Sequence, residues 1–211
     1  MNYWKIDKED VCNGEGLRVV LWLSGCSHKC RGCQNPQTWD ANSGILFDEA
    51  AKEELFRELN KDYISGLTLT GGDPLFESNI DDVLNLVTEV NKRYNTLQHI
   101  DGTDKENNNI LTNNTNEIRL SLPQKSIWIY TGYEWQHIFD SQWHYHPQTQ
   151  EKLSIGRWRR QQIVSQCDVL IDGRYIDSQR DVTLPWCGSS NQRVIMIQET
   201  LQKGEIVLWE T

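Results

Sequence analysis

Leu17-Arg18-Val19-Val20-Leu21-Trp22-Leu23 is the stretch that decides how the chain folds. Val19 to Trp22 form an unbroken apolar run bounded by Gly16 and by Ser24-Gly25, the pattern of a strand buried on both faces. Three cysteines, Cys26, Cys30 and Cys33, follow it directly. Further along, Ala51, Leu55, Phe56 and Leu59 recur at helical spacing behind Asp48, a fitting N-cap. The unit then repeats. Residues 67–70 read as a strand and 71–77 as a loop. Ile80, Val83, Leu84, Val87 and Val90 mark one face of a helix, with Ser78 and Asp81 resembling a capping box. Residues 127–130 and 169–171 are two more apolar strands, ending in Thr131-Gly132-Tyr133 and Asp172-Gly173-Arg174. Between them Trp135, Ile138, Leu153, Trp158, Ile163 and Val164 supply helical cover.

Strands alternating with amphipathic helices imply an α/β class with parallel pairing through right-handed crossovers. In such folds ligands bind at the carboxyl ends of the strands. The cysteine loop, Gly71-Gly72-Asp73-Pro74 and Thr131-Gly132-Tyr133 each follow a strand directly, so the three are expected on one rim. The 211 residues form a single domain in this reading. Residues 97–125, rich in Asn, Asp and Thr, are a polar insertion, with Ile110-Leu111 and residues 118–122 paired as a hairpin.

A formal net charge of -9 argues against a nucleic-acid partner, because phosphate backbones are bound by clustered Lys and Arg. The most apolar stretch, residues 17–23, is far shorter than the roughly 20 residues that span a bilayer. Met1 to Asp10 lacks the apolar core and cleavage site of an export signal. A cytoplasmic location without membrane contact is therefore expected. In that reducing setting the six cysteines serve as thiols or ligands rather than disulfides.

Cys26-x3-Cys30-x2-Cys33 puts three thiolates on one short loop, enough for three corners of an iron-sulfur cube. The fourth iron is then left open to a substrate. Cys12 lies before the first strand, at the end opposite the loop, and Cys12, Cys167 and Cys187 show no Cys-x-x-Cys pairing. A structural zinc site completed by His28 is the competing reading, since zinc accepts Cys3His. Cys26, His28 and Cys30 alternate so tightly, however, that tetrahedral closure would strain the loop. His144-Tyr145-His146, between Trp143 and Pro147, reads as an aromatic surface loop.

The cysteine loop resembles the signature of the radical S-adenosylmethionine superfamily. Around it stand Asn13-Gly14-x-Gly16-x-Arg18, Ser24-Gly25-Cys26, Asn35-Pro36-x-Thr38-Trp39, Thr70-Gly71-Gly72-Asp73-Pro74-Leu75, Tyr130-Thr131-Gly132-Tyr133, Val169-Leu170-Ile171-Asp172-Gly173 and Gly188-Ser189-Ser190-Asn191-Gln192. Together these resemble the activating family of anaerobic, class III ribonucleotide reductases, from Asn13 to Gln192. The resemblance implies a partial, open (β/α) barrel of TIM type. It implies one [4Fe-4S] cluster on Cys26, Cys30 and Cys33, with S-adenosylmethionine as cofactor and no catalytic residue beyond the cluster. The chemistry implied is reductive cleavage to a 5′-deoxyadenosyl radical, which removes hydrogen from a glycine Cα of the reductase large subunit. A low-potential electron donor is the second implied partner.

Gly32, Cys33 and Gln34 match the stretch that lines the cofactor in that family, with Gln34 where Tyr or Phe is common. Glu15 stands where proline is usual and Cys187 where arginine is. In the same scheme Gly71 and Gly72 offer bare backbone to the methionine amino group, Asp73 adds negative charge beside it, and Thr131 completes the contacts. A branched residue at 72 is then expected to weaken cofactor binding while sparing the cluster. An activase of another glycyl-radical enzyme, such as pyruvate formate-lyase, and a zinc-stabilised adaptor are the alternatives.

Overall fold

The computed structural model describes residues 1–95, 124–139 and 150–210, with side chains in the last segment described from Gly156 onward. Nearly all of the 97–125 insertion, both arms of its expected hairpin and His144-Tyr145-His146 lie outside the described residues. Lys125 does not belong to a surface excursion. It is fully buried, and its Nζ donates to the carbonyls of Lys61 at 2.9 Å and Ile64 at 2.5 Å.

In chain order the strands are β1 (Asn2–Asp10), β2 (Arg18–Leu23), β3 (Ile45–Leu46), β4 (Gly66–Gly71), β5 (Ser126–Tyr130), β6 (Val169–Asp172) and β7 (Arg193–Met196). The helices are α1 (Glu49–Leu59), α2 (Ile80–Val90), α3 (Trp135–Phe139), α4 (Gln150–Val164) and α5 (Ile197–Lys203). One seven-stranded sheet has the order β3-β1-β2-β4-β5-β6-β7. Its centre is parallel: Arg18 to Leu23 pair with Gly66 to Gly71, Gly66 to Leu69 with Ser126 to Ile129, and Trp128 to Tyr130 with Val169 to Ile171. These are the four strands expected from the apolar runs. The sheet is nonetheless mixed, because β1 pairs antiparallel with β2, β3 with β1, and β7 with β6. The three added strands extend the sheet outward from the apolar centre. Antiparallel strands tolerate water on one side, so β1 keeps the alternating charge of Lys5, Asp7, Lys8 and Glu9 without a continuous apolar run.

Period-two alternation divides the sheet's two faces. Val19, Leu21, Leu23, Leu67, Leu69, Ile127, Ile129, Leu170 and Ile195 pack with residues from all five helices, among them Leu55, Val83, Ile138, Ile163 and Ile197. Trp128, Val169 and Ile171 form a separate cluster with Trp186, Val194 and Trp209. Trp128 meets Trp186 nearly edge-on at 4.8 Å and Trp209 at 5.2 Å. Among the described residues no helix contributes to this second cluster, and the loops around Trp186 and Trp209 pack against that face.

Arg18 ties three strands together beneath those loops. Its buried guanidinium donates to Thr68 Oγ1 at 2.7 Å, to the carbonyls of Glu15, Leu67 and Ser126, and to Ser126 Oγ. Burial lowers its pKa to about 10. The loop before β2 folds back over this side chain: Thr68 Oγ1 donates to Asn13 O at 2.8 Å, and a Cβ on Gly14 would sit 2.7 Å from Arg18 Cδ. Asp48 caps α1 as expected, accepting from Ala51 N at 3.0 Å. The Ser78-Asp81 capping box does not form. Asn79 is the N-cap of α2, without a side-chain cap bond, and its amide is drawn instead to the carbonyls of Ser24 and Asp73.

Candidate functional site

The rim loops after β2 and β4 are joined by close backbone approach. Gly72 N donates to Leu23 O and Asp73 N to Gly25 O, both at 2.7 Å. The space between these chains leaves no room for side chains. Gly71 has φ +99°, and a Cβ there would lie 2.8 Å from Leu23 N; on Gly72 it would lie 2.5 Å from Gly25 O. Both glycines are therefore required by the packing of the 71–73 loop against the strand that delivers the cysteines.

Asp73 is the junction of the third loop. It is 2% exposed, and its carboxylate accepts from Leu75 N at 2.8 Å, Thr131 Oγ1 at 2.9 Å and Gly132 N at 3.1 Å. His28 Nε2, from the cysteine loop, approaches the same carboxylate to 2.8 Å. One acidic side chain thus holds all three loops.

Above them opens a cavity of about 460 Å³. Of the residues singled out in the sequence, Cys26, Cys30, Cys33, Gln34, Gly71, Gly72, Asp73 and Thr131 line it. Gly32 does not. It turns the loop at φ +74°, and a Cβ there would meet Asp177 Oδ1 at 2.6 Å. Cys12 is a correction: the fold-back of its loop brings it into this cavity instead of leaving it at the far end of β2. Cys187 lines the cavity as well.

All six thiols are free. Burial raises the Cys26 thiol to about 11, with Asp73 adding to the shift and the amides of His28 and Lys29 opposing it. Burial raises Cys30 too, against the backbone amide of Tyr175. Cys33 Sγ accepts from Asn35 N at 3.3 Å. Backbone donors therefore face each of the three sulfurs, and at Cys26 and Cys30 they oppose, without outweighing, the burial that favours the thiol. Among the described residues no three His, Cys, Asp or Glu side chains are already drawn together around one metal position.

The sequence reading missed Trp39 and Tyr130 as site residues. Trp39 Nε1, Tyr130 Oη and both ring nitrogens of His28 are buried without a hydrogen-bond partner, and all three side chains line the cavity. For Tyr130 the signal was present: it lies two residues after Trp128 on β5 and shares its face.

A family model described as a 4Fe-4S single cluster domain matches residues 12–117 and 100–195. A protein of Enterobacteria phage T4 is 36% identical over 92% of this chain and 93% of its own length. Proteins of Escherichia coli K12, 33% identical over 92% and 97%, and Haemophilus influenzae, 32% identical over 91% and 96%, are similarly close. All three are named anaerobic ribonucleoside-triphosphate reductase-activating protein. The chain belongs to this family. A 4Fe-4S cluster domain is accordingly present in it, and no helix among the described residues is long and apolar enough to cross a membrane.

For such an activating protein the packing at Gly72 changes one expectation. Because a Cβ at 72 meets the backbone of Gly25, which cannot swing aside, Gly72→Val disturbs the cysteine loop itself. The cost exceeds the about 1–3 kcal/mol of ordinary overpacking. Iron loading after anaerobic reconstitution is expected to fall together with cofactor affinity; a variant that loads iron fully and loses only the cofactor would restore the simpler scheme.

Proposed function

We propose that this chain carries one [4Fe-4S] cluster on Cys26, Cys30 and Cys33, binds S-adenosylmethionine beside it, and generates a glycyl radical on the large subunit of an anaerobic ribonucleotide reductase. The observation that carries the reading is the convergence of three rim loops on one cavity, with the three cysteines in its wall. The residues fit such a group: soft sulfur donors, each faced by backbone N–H, suit an iron-sulfur cluster. When bound, the cluster supplies one low-potential electron and an iron site open to the cofactor's amino and carboxylate groups.

The chain's own residues bind and shield. Cys33 and Gln34 wall the cavity beside the cluster loop, and Gly32 sets that loop's turn. The backbone of Gly71 and Gly72 forms the opposing edge. Asp73 and Thr131 fix that edge relative to the cysteines. Trp39 Nε1 and Tyr130 Oη are positioned to take up polar atoms of a ligand, which would otherwise leave them unpaired. Trp186 helps close the cavity against water.

The parallel centre with all helices on one face supports curvature into a partial, open (β/α) barrel of TIM type, with the Trp128 face inward. The remaining parts of the reading are a cytoplasmic location, a low-potential electron donor, and no nucleic-acid or membrane partner. Against a zinc-stabilised adaptor, the His28 ring is turned toward Asp73, with Nε2 2.8 Å from Oδ2.

The test is anaerobic. The reconstituted chain with dithionite is expected to convert S-adenosylmethionine to 5′-deoxyadenosine and methionine. With the reductase added, a glycyl radical should appear by electron paramagnetic resonance. A colourless zinc-loaded protein would overturn the cluster. Cofactor cleavage with a radical on pyruvate formate-lyase but none on the reductase would reassign the target.

A further inference from the structure

We propose that His28 is a positioning residue for the cofactor, a role that rests on reading this cavity as the S-adenosylmethionine site. Its imidazole locks the cysteine loop onto the 71–73 and 131–133 loops, and it is not a ligand of the cluster.

His28 stands between Cys26 and Cys30, flanked by exposed Ser27 and Lys29, yet its own side chain is 5% exposed. A surface loop that turns one polar ring inward is anchored at that ring. The partners come from both other loops. Nε2 lies 2.8 Å from Asp73 Oδ2, and the ring meets Tyr133 edge-on with centroids 4.7 Å apart. Gly132 makes the space: a Cβ there would lie 2.4 Å from His28 Cδ2. Any side chain at 132 would push the imidazole out.

The frame that receives the ring is itself fixed. Asp73 is held by Leu75, Thr131 and Gly132. Tyr133 lies under the Arg160 guanidinium at 4.5 Å, and Arg160 Nε donates to Leu75 O at 2.8 Å. On its other side the cysteine loop is pinned where Cys26 N donates to Trp39 O at 3.0 Å. His28 is therefore the buried side chain of the 26–30 segment that packs on both of the other two loops. The approach to Asp73 is close but bent, and neither ring nitrogen completes a hydrogen bond with protein, although the ring lines the cavity. A polar ligand seated there has a buried, unsaturated imidazole to meet.

Removing the ring leaves the three cysteines intact, so iron binding and cofactor binding should separate. The whole chain is reconstituted anaerobically as wild type, His28→Ala and His28→Gln. Iron per chain, S-adenosylmethionine affinity by equilibrium dialysis, and the cofactor-induced change in the resonance spectrum of the reduced cluster are then measured. His28→Ala should keep its iron, bind the cofactor about tenfold more weakly, as losses of orienting partners do, and show a smaller spectral change. His28→Gln, whose amide reaches toward Asp73 as Nε2 does, should recover most of the affinity. Loss of iron in His28→Ala, unchanged affinity, or a Gln variant no better than Ala would each overturn the role. Absence of cofactor binding in the wild-type chain would overturn the reading of the cavity and this role with it; wild-type binding unaffected by His28→Ala overturns the role alone.

Discussion

Cys26→Ala, Cys30→Ala and Cys33→Ala each abolish iron loading, whereas Cys12→Ala, Cys167→Ala and Cys187→Ala leave it at the wild-type level. This is the largest effect expected of any substitution in the chain. The structure makes it a sharper test than spacing alone, because Cys12 and Cys187 share the cavity with the three proposed ligands. What separates them is the loop. Cys26, Cys30 and Cys33 lie on one loop, whose 30–33 turn is closed by Cys33 N donating to Cys30 O at 3.1 Å, so one local rearrangement can bring three sulfurs to a cube. Cys12 sits on a different, exposed segment whose amide is held by Asp10. Cys187 follows Trp186, a residue at φ +58° packed on Trp128, and burial raises its thiol to about 11. Cys167 is fully buried, with Sγ 3.3 Å from Ile163 O, and is part of the core. Iron and sulfide analysis after anaerobic reconstitution decides the matter. Full iron in Cys30→Ala would end the assignment. Iron lost in Cys12→Ala or Cys187→Ala would supply a fourth protein ligand and close the position that S-adenosylmethionine needs.

The residues that were legible in the sequence are those whose surroundings are uniform. β2, β4, β5 and β6 sit in the middle of the sheet and are buried and largely apolar, so the four runs and the loops after them could be read directly. Less legible were residues whose role depends on a partner distant in the chain. β1 alternates Lys, Asp and Glu with apolar residues, and only its pairing with β2 makes it a strand. Asn79 replaced Ser78 as the N-cap because its amide serves Ser24 and Asp73, and no local pattern records that. The fold-back that carries Cys12 into the cavity depends on Gly14 and Gly16 at positive φ and on Arg18 beneath Gly14. The glycines of the 71–73 loop were noticed for the right property, absence of a side chain, but the neighbour they admit is Gly25 and Leu23 backbone. Asp73 shows the same limit. Its charge reads as acting near the cofactor's amino group, and nothing in the sequence signals that its oxygens also accept from the protein's own donors.

That occupancy sets the second large effect. Asp73→Ala leaves Leu75 N, Gly132 N and the Thr131 hydroxyl without their acceptor at the cavity wall, and it removes the carboxylate that the His28 ring faces. Each orphaned buried donor costs about 1–3 kcal/mol. Partial relaxation, with some water entry, brings the expected total to about 3–5 kcal/mol, in line with removing one member of a buried polar group. For a chain of this size that corresponds to a fall of about 10 °C in Tm, measurable on the metal-free protein by circular dichroism. Asp73→Asn should lie between Ala and wild type, since one amide oxygen can still accept while the NH2 group faces a donor. The pair of substitutions separates two roles. If Asp73 acts as the anchor of the three loops, stability and cofactor affinity fall together in both variants, in the order Ala below Asn. If it acts chiefly by charge on the cofactor, Asp73→Asn loses affinity as fully as Ala while the metal-free Tm stays at the wild-type value. The hydrogen bonds to Thr131 and Gly132 favour the first outcome, and an unchanged Tm in Asp73→Ala would refute it.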